Sequence, residues 1–211
     1  MLLAPPTQRQ HLRLAGAVLA GGASRRMGRN KAALVVDGVP MLHRVAATLA
    51  AAGCLPVAAV GGDLAVARSV DLDLVPDRWP GEGPLGGILT ALAWADGPVF
   101  VVATDMPWLH ADSVRAVIDA VERVPDPGCD VAIAESGRLE PLCAFWMPSS
   151  YAPLLAAFDS GERSVHRAII GLRSLLVPVD PGSVINVNRP DDLQHDLATR
   201  EVPGEAPQEQ R

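Results

Sequence analysis

The sequence predicts an α/β fold, a sheet of parallel strands joined by helical crossovers. Two observations carry that prediction. Short apolar runs alternate with longer amphipathic stretches along most of the chain. The first three runs, at 14–19, 57–60 and 99–103, are apolar at nearly every residue, as strands covered on both faces should be.

Taken in order, 14–19 is the first strand, and the glycine-rich stretch "LAGGASRRMGRNK" follows it at 19–31. A helix is expected over 41–52, ended by Gly53 as its C-cap, and a second strand over 57–60. The loop "PDRWPGEGPLGG" at 76–87 opens into a helix over 85–95. The strand at 99–103 leads into "TDMPWL", and a helix over 111–124 is stopped by Pro125. A fourth strand is expected at 131–134. After Cys129 the pattern loosens, with further strands at 140–145 and 175–179 and helices near 150–158 and 165–170. Strand, helix, strand with short connections gives right-handed parallel crossovers.

With 49% hydrophobic residues in 211, the chain can bury one sizeable core. No repeat or linker interrupts it, so one domain is expected over 13–199, with a flexible N-terminal tail at 1–12 and a disordered, polar, proline-containing tail at 200–211. The net charge of −6 gives no global footprint for nucleic acid or an anionic membrane, so any anion binding must be local. Cys54, Cys129 and Cys143 form no C-x-x-C pair, which argues against a disulfide framework or zinc site and for reduced thiols. Pro5 and Pro6 break the short apolar start, and no segment reaches the roughly 20 apolar residues of a membrane span. A cytoplasmic protein is expected.

In open α/β sheets ligands bind beyond the carboxyl ends of the strands, where strand order reverses. The segments after the strands therefore hold the candidates. Gly21, Gly22 and Gly28 allow successive N–H groups to converge on an anion, and Arg25, Arg26, Arg29 and Lys31 surround them with positive charge. The loop matches neither G-x-x-x-x-G-K-[ST] nor G-x-G-x-x-G. Its alternative is a solvated turn with arginines facing water. Asp105 emerges after the third strand, placed to hold Mg²⁺ between phosphate oxygens, or else to cap the next turn. Asp77 lies in the 76–87 loop, which either faces a substrate or is an ordinary surface loop. His11, His43, His110, His166 and His195 show no ligand spacing, and Ser24 has no recognisable base. Trp79 and Trp108 follow the two acidic loops and either stack on a ring or fill core edges.

"LAGGASRRMGRNK", "GPLGG" and "TDMP" resemble, in order, the motifs of the molybdenum cofactor guanylyltransferase (MobA) family within the nucleotidyltransferases. "EPLCAFW" at 140–146, "GERSV" at 161–165 and "NVNRPDDL" at 186–193 resemble its C-terminal motifs, so the resemblance spans 14–197. It implies a three-layer α/β/α, Rossmann-like nucleotidyltransferase fold with a mostly parallel central sheet. It also implies transfer of GMP from GTP to the terminal phosphate of molybdopterin, with release of pyrophosphate and with Mg²⁺ as the metal.

By that resemblance Leu19, Ala20, Gly21 and Lys31 contact GTP, with Gly22 in the same loop, and Asp77 contacts the nucleotide. Asp105 contacts both GTP and Mg²⁺. Where relatives often carry an Asn after the second long strand this chain has Gly61, which offers only backbone. Ala103 and Thr104 precede Asp105 where relatives often have Cys, a difference expected to matter for packing alone. Arg25, Lys31 and Asp105 are the expected catalytic groups, stabilising charge on the triphosphate. Asn186 and Asn188 approach the acceptor or complete the metal shell, or else form a tight Asn-rich turn. Candidate partners beyond GTP and molybdopterin are molybdenum cofactor insertion proteins or molybdoenzyme chaperones, with no nucleic acid and no membrane. The alternatives are a molybdopterin cytidylyltransferase, another small-molecule nucleotidyltransferase, or a non-catalytic nucleotide-binding regulator. The presence of both Lys31 and Asp105 argues against the last.

Overall fold

A computed structural model describes residues 14–21, 31–124 and 128–187. The expected tails, the domain limits at 13 and 199, and Gly22, Arg25, Gly28 and Asn188 lie outside the described residues.

The chain runs through β1 (Ala15–Leu19), the short strands β2 (Val35–Val36) and β3 (Val39–Pro40), and α1 (Met41–Ala51). It continues with β4 (Val57–Val60), α2 (Leu64–Ser69), β5 (Asp73–Val75), α3 (Pro84–Trp94), β6 (Val99–Ala103) and α4 (Ala111–Arg123). It closes with β7 (Val131–Glu135), β8 (Leu139–Trp146), α5 (Tyr151–Asp159), α6 (Val165–Ala168) and β9 (Ser174–Pro178). Seven strands form one sheet in the order β5-β4-β1-β6-β8-β7-β9, and β2 pairs with β3 as a separate hairpin.

Among the described residues β8 alone runs against the rest, antiparallel to both β6 and β7, while β1, β4, β5 and β6 are mutually parallel and β9 is parallel to β7. The chain moves outward from β1 to β4 and β5, then jumps back across β1 to β6. The strand order therefore reverses between β1 and β6, whose carboxyl ends are Leu19 and Ala103.

The strands alternate which side chain faces which helix layer, because the pleat has a period of two. Val18, Phe100, Val102, Ala132 and Phe145 pack with Leu42, Leu49, Val114 and Val117 of α1 and α4. Ala17, Val99, Val101, Ile133 and Trp146 pack on the other face with Leu85, Ile88, Leu89 and Leu154 of α3 and α5. The result is the expected three-layer arrangement. Gly53 ends α1 as expected: it has φ +98°, and its N–H donates to the Ala50 carbonyl at 3.0 Å.

Three elements escape the apolar pattern. The helix α2 is six residues long and opens on Asp63, whose carboxylate accepts the Ala65 N–H at 2.7 Å. The edge strand β5 and the β2–β3 hairpin are too short for a period to register. The expected strand at 140–145 is longer, and its pairing with β7 jumps between Ile133 and Ala134 so that Ala134 faces Glu140. Pro141, which has no N–H to give a ladder, sits in that irregularity.

Candidate active site

The carboxyl edge of β1 is built from backbone. The Ala20 and Gly21 N–H groups both donate to the Val60 carbonyl, at 3.0 and 3.3 Å, and the Gly61 N–H donates to the Val75 carbonyl at 2.9 Å. Gly21 and Gly61 face one another so closely that a Cβ on Gly61 would stand 3.2 Å from the Gly21 Cα. Gly62, at φ +89°, is tighter still, since its Cβ would come within 2.9 Å of the Ala20 carbonyl oxygen. Leu19, Ala20, Gly21 and Gly61 thus form one continuous floor, which only glycine at 61 and 62 permits. Lys31 opens a single 3-10 turn, Lys31–Ala33, just before the β2–β3 hairpin.

Asp77 stands beside that floor, its Cβ 3.4 Å from where a Gly61 side chain would begin. Its Oδ1 accepts the Trp79 N–H at 3.0 Å and lies 3.1 Å from the Thr90 hydroxyl. The 76–87 loop then enters α3 at Gly83, φ +87°, with Pro84 as the first helical residue. Gly87 in the first turns of α3 lets the helix lie against Leu19, since a Cβ there would meet the leucine at 3.1 Å.

Across the reversal point Thr104 joins β6 to β1: both its N–H and its hydroxyl donate to the Leu19 carbonyl. Packing was the expected consequence of having threonine here; the hydroxyl makes a specific bond instead. Asp105 follows at once, half-buried, with its Oδ1 fully enclosed. The Asp105 carbonyl accepts the Val187 N–H at 2.8 Å, which brings Asn186 to the same place. Val187 is buried with Val36, Met41 and Trp108, so Trp108 fills a core edge, the second of its two expected roles. Trp79 packs against Phe158, the ring centroids 5.3 Å apart.

Asp105 and Asn186 both line a cleft of about 470 Å³ that continues away from the glycine floor toward Arg138, Glu140, Arg163, Ser164 and His166. None of these five carried a role from the sequence, although the motifs "EPLCAFW" and "GERSV" contain three of them. Glu140 is buried, and it accepts hydrogen bonds from Arg138 Nε at 2.6 Å and the Ser136 hydroxyl at 3.2 Å. Glu162 accepts the N–H groups of Arg163 and Ser164 at 2.7 and 2.6 Å and pairs with Arg167 at 2.6 Å. That pairing first, and then the Ser164 N–H, holds the Glu162 carboxyl down at about 2. Arg163 reaches back across the cleft to Glu82 at 2.7 Å, its guanidinium 3.8 Å above the Phe158 ring.

The donor set suits a hard divalent cation. A carboxylate and an amide oxygen, from Asp105 and Asn186, line one cleft. Among the described residues no group of three or more His, Cys, Asp or Glu forms a cage. A cation of the magnesium kind, which takes one or two carboxylates and draws its remaining ligands from phosphates and water, fits such a site.

The profile of the MobA-like NTP transferase domain matches residues 16–177. The chain belongs to that family. A probable molybdenum cofactor guanylyltransferase of Chloroflexus aggregans is 34% identical over 203 residues, covering 87% of this chain and 93% of the relative. The molybdenum cofactor guanylyltransferase of Rhodobacter capsulatus is 34% identical over 190 residues, 86% of this chain and 94% of the relative. Among solved structures, molybdopterin-guanine dinucleotide biosynthesis protein A of Archaeoglobus fulgidus superposes with a TM-score of 0.73 at 26% identity, covering 88% of this chain and 99% of the other. The MobA-like domain is thus a nucleotidyltransferase whose glycine floor, Asp77, Asp105 and Asn186 follow one carboxyl edge. Among the described residues no helix is long and apolar enough to cross a membrane.

Proposed function

We propose that this member of the MobA-like family is a molybdenum cofactor guanylyltransferase, acting as one domain over 13–199. In this reading it transfers GMP from GTP to molybdopterin cofactor in the cytoplasm and gives the guanine dinucleotide form. The observation that carries the reading is the position of Asp105. It follows β6 at the strand reversal, beside the β1 end that begins the glycine floor, and it also lines the 470 Å³ cleft, which supports a site where nucleotide and acceptor share one carboxylate.

In this reading a terminal phosphate oxygen of the acceptor attacks the α-phosphorus of GTP in line. A P–O bond forms there, the bond to the bridging oxygen breaks, and pyrophosphate leaves with that oxygen. No protein nucleophile is required, so the residues bind and orient. Leu19, Ala20, Gly21 and Gly22 hold the nucleotide, Asp77 and the Gly61 backbone flank it, and Arg25 and Lys31 offset triphosphate charge. Asp105 is the proposed metal ligand and Mg²⁺ the proposed metal, which when bound would supply positive charge to the phosphates. Asn186 and Asn188 are the proposed acceptor contacts, and Asn186 lines the cleft together with Arg138 and His166. Cofactor insertion proteins or molybdoenzyme chaperones are the proposed recipients of the product.

The test is incubation with GTP, Mg²⁺ and molybdopterin cofactor, followed by detection of the dinucleotide and pyrophosphate. Preference for CTP over GTP would refute the guanylyl assignment. Asp105→Ala is expected to abolish magnesium-dependent pyrophosphate release with the fold intact, and Lys31→Ala to weaken GTP binding.

A further inference from the structure

Thr90 is a buried polar side chain, 1% exposed, in a helix otherwise filled on its inner face by Leu85, Ile88, Leu89 and Ala91. Its hydroxyl oxygen accepts the Arg78 N–H at 3.1 Å and lies 3.1 Å from Asp77 Oδ1 and 2.9 Å from the Gly86 carbonyl oxygen. A hydroxyl has one proton to donate. A threonine inside a helix ordinarily gives it to the carbonyl four residues earlier, and here a carboxylate competes for it. The Asp77 Oδ1 is also held by the Trp79 N–H at 3.0 Å. One oxygen of the carboxylate is therefore turned toward the loop and α3, while Oδ2 makes no hydrogen bond among the described residues. No side chain stands between Asp77 and the glycine floor, because residue 61 is glycine.

The geometry points to Thr90 as a positioning residue for nucleotide recognition: its hydroxyl fixes Asp77 with Oδ2 offered to an N–H or O–H donor of the nucleotide. The inference rests on the reading of Asp77 as a nucleotide contact. Valine has the shape of threonine without the hydroxyl, so Thr90→Val separates the hydrogen bond from packing. With the bond gone, Asp77 turns among several rotamers, and the nucleotide must select one of them at a cost in affinity.

The experiment measures GTP dissociation constants, GTP KM and kcat, and melting temperature for the wild type, Thr90→Val, Thr90→Ser, Asp77→Ala and the double variant Asp77→Ala with Thr90→Val. A net hydrogen bond is worth about 1 kcal/mol, about fivefold in affinity. Thr90→Val is expected to raise the GTP dissociation constant and KM about fivefold with kcat little changed, and Thr90→Ser to restore both. In the Asp77→Ala background the valine should add nothing. If Thr90→Val does not fold, Thr90→Ala compared with Thr90→Ser is read in the same way.

A Thr90→Val variant that binds GTP like the wild type overturns the inference. So does one that weakens binding equally with and without Asp77, the pattern of a purely structural role. An Asp77→Ala variant with unaltered affinity removes Asp77 from the nucleotide site and this inference with it. Wild-type transfer of GMP supports the guanylyltransferase reading in every one of those cases, and its failure refutes that reading separately.

Discussion

Gly62→Ala tests whether the glycine floor is a requirement of shape. Gly62 and Gly53 have φ of +89° and +98°, a region that costs an L-residue about 1–2 kcal/mol. At Gly53, on the opposite edge of the sheet, an added Cβ meets nothing within 4 Å, so Gly53→Ala bears that backbone cost alone. At Gly62 the Cβ would stand 2.9 Å from the Ala20 oxygen, 3.0 Å from its Cβ and 3.1 Å from its carbonyl carbon. Those atoms belong to a backbone anchored by the Ala20 N–H bond to Val60, and so they cannot swing aside. Overpacking of this kind costs about 1–3 kcal/mol more. In a chain of this size each kcal/mol lowers the melting temperature by about 2–4 °C. Gly62→Ala should therefore melt about 2–12 °C below Gly53→Ala. It should also bind GTP more weakly than Gly53→Ala, because relief comes from displacing Ala20. Differential scanning calorimetry and equilibrium GTP binding on both variants give the answer. Two variants with equal melting temperatures and equal affinities would refute the reasoning.

The remaining expectations concern the cleft and the core. The Glu162 carboxyl is lowered from 4.5 to about 2, so the stability it contributes is complete above pH 4.5 and lost as pH falls toward 2. The gap in melting temperature between wild type and Glu162→Gln should accordingly shrink over that window; a gap that widens on acidification contradicts the assignment. Arg163→Ala removes the Glu82 ion pair and the stacking on Phe158. It should cost about 1–2 kcal/mol and speed proteolysis of the 76–87 loop, which unchanged cleavage would exclude. Burial pushes the Cys54 and Cys143 thiols up to about 12, and burial followed by the Asp130 charge raises Cys129. Because the thiolate is the reactive form, maleimide at pH 8 should label the native protein only as fast as it unfolds. Rapid modification of any of the three would show that thiol to be exposed.

The parts legible in the sequence are those governed by local rules. β1, β4 and β6 announce themselves because both faces are covered, which leaves an unbroken apolar run such as "VFVVA" at 99–103. Gly53 marks a helix end because it needs a backbone conformation that other residues avoid. Asp105 could be singled out because it follows the apolar strand at 99–103, beyond whose carboxyl end ligands bind, and Asp77 because it is the acid in the glycine- and proline-rich 76–87 loop. The cleft lined by Arg138, Glu140 and Arg163 was legible only as motifs. Arg138 and Glu140 are two residues apart at the start of β8, and nothing in their spacing says that the strand is antiparallel or that it faces Asp105. The Thr104 and Thr90 hydrogen bonds were hidden for the same reason: their partners are 85 and 13 residues away. The reversal of β8 and the meeting of Asn186 with Asp105 depend on long-range pairing that no local period records.

That reversed strand divides the labour of the sheet. A strand running against its neighbours begins where they finish, so the turn between β7 and β8 delivers Arg138 and Glu140 to the edge that already carries Leu19 and Asp105. In the proposed reading one half of that edge answers to the nucleotide and the other half to whatever receives it, with Asp105 at the seam. Acceptor choice can then drift by exchange of a hairpin while the donor half stays untouched. A chimera carrying a relative's β7–β8 turn should keep its nucleotide preference and change its acceptor.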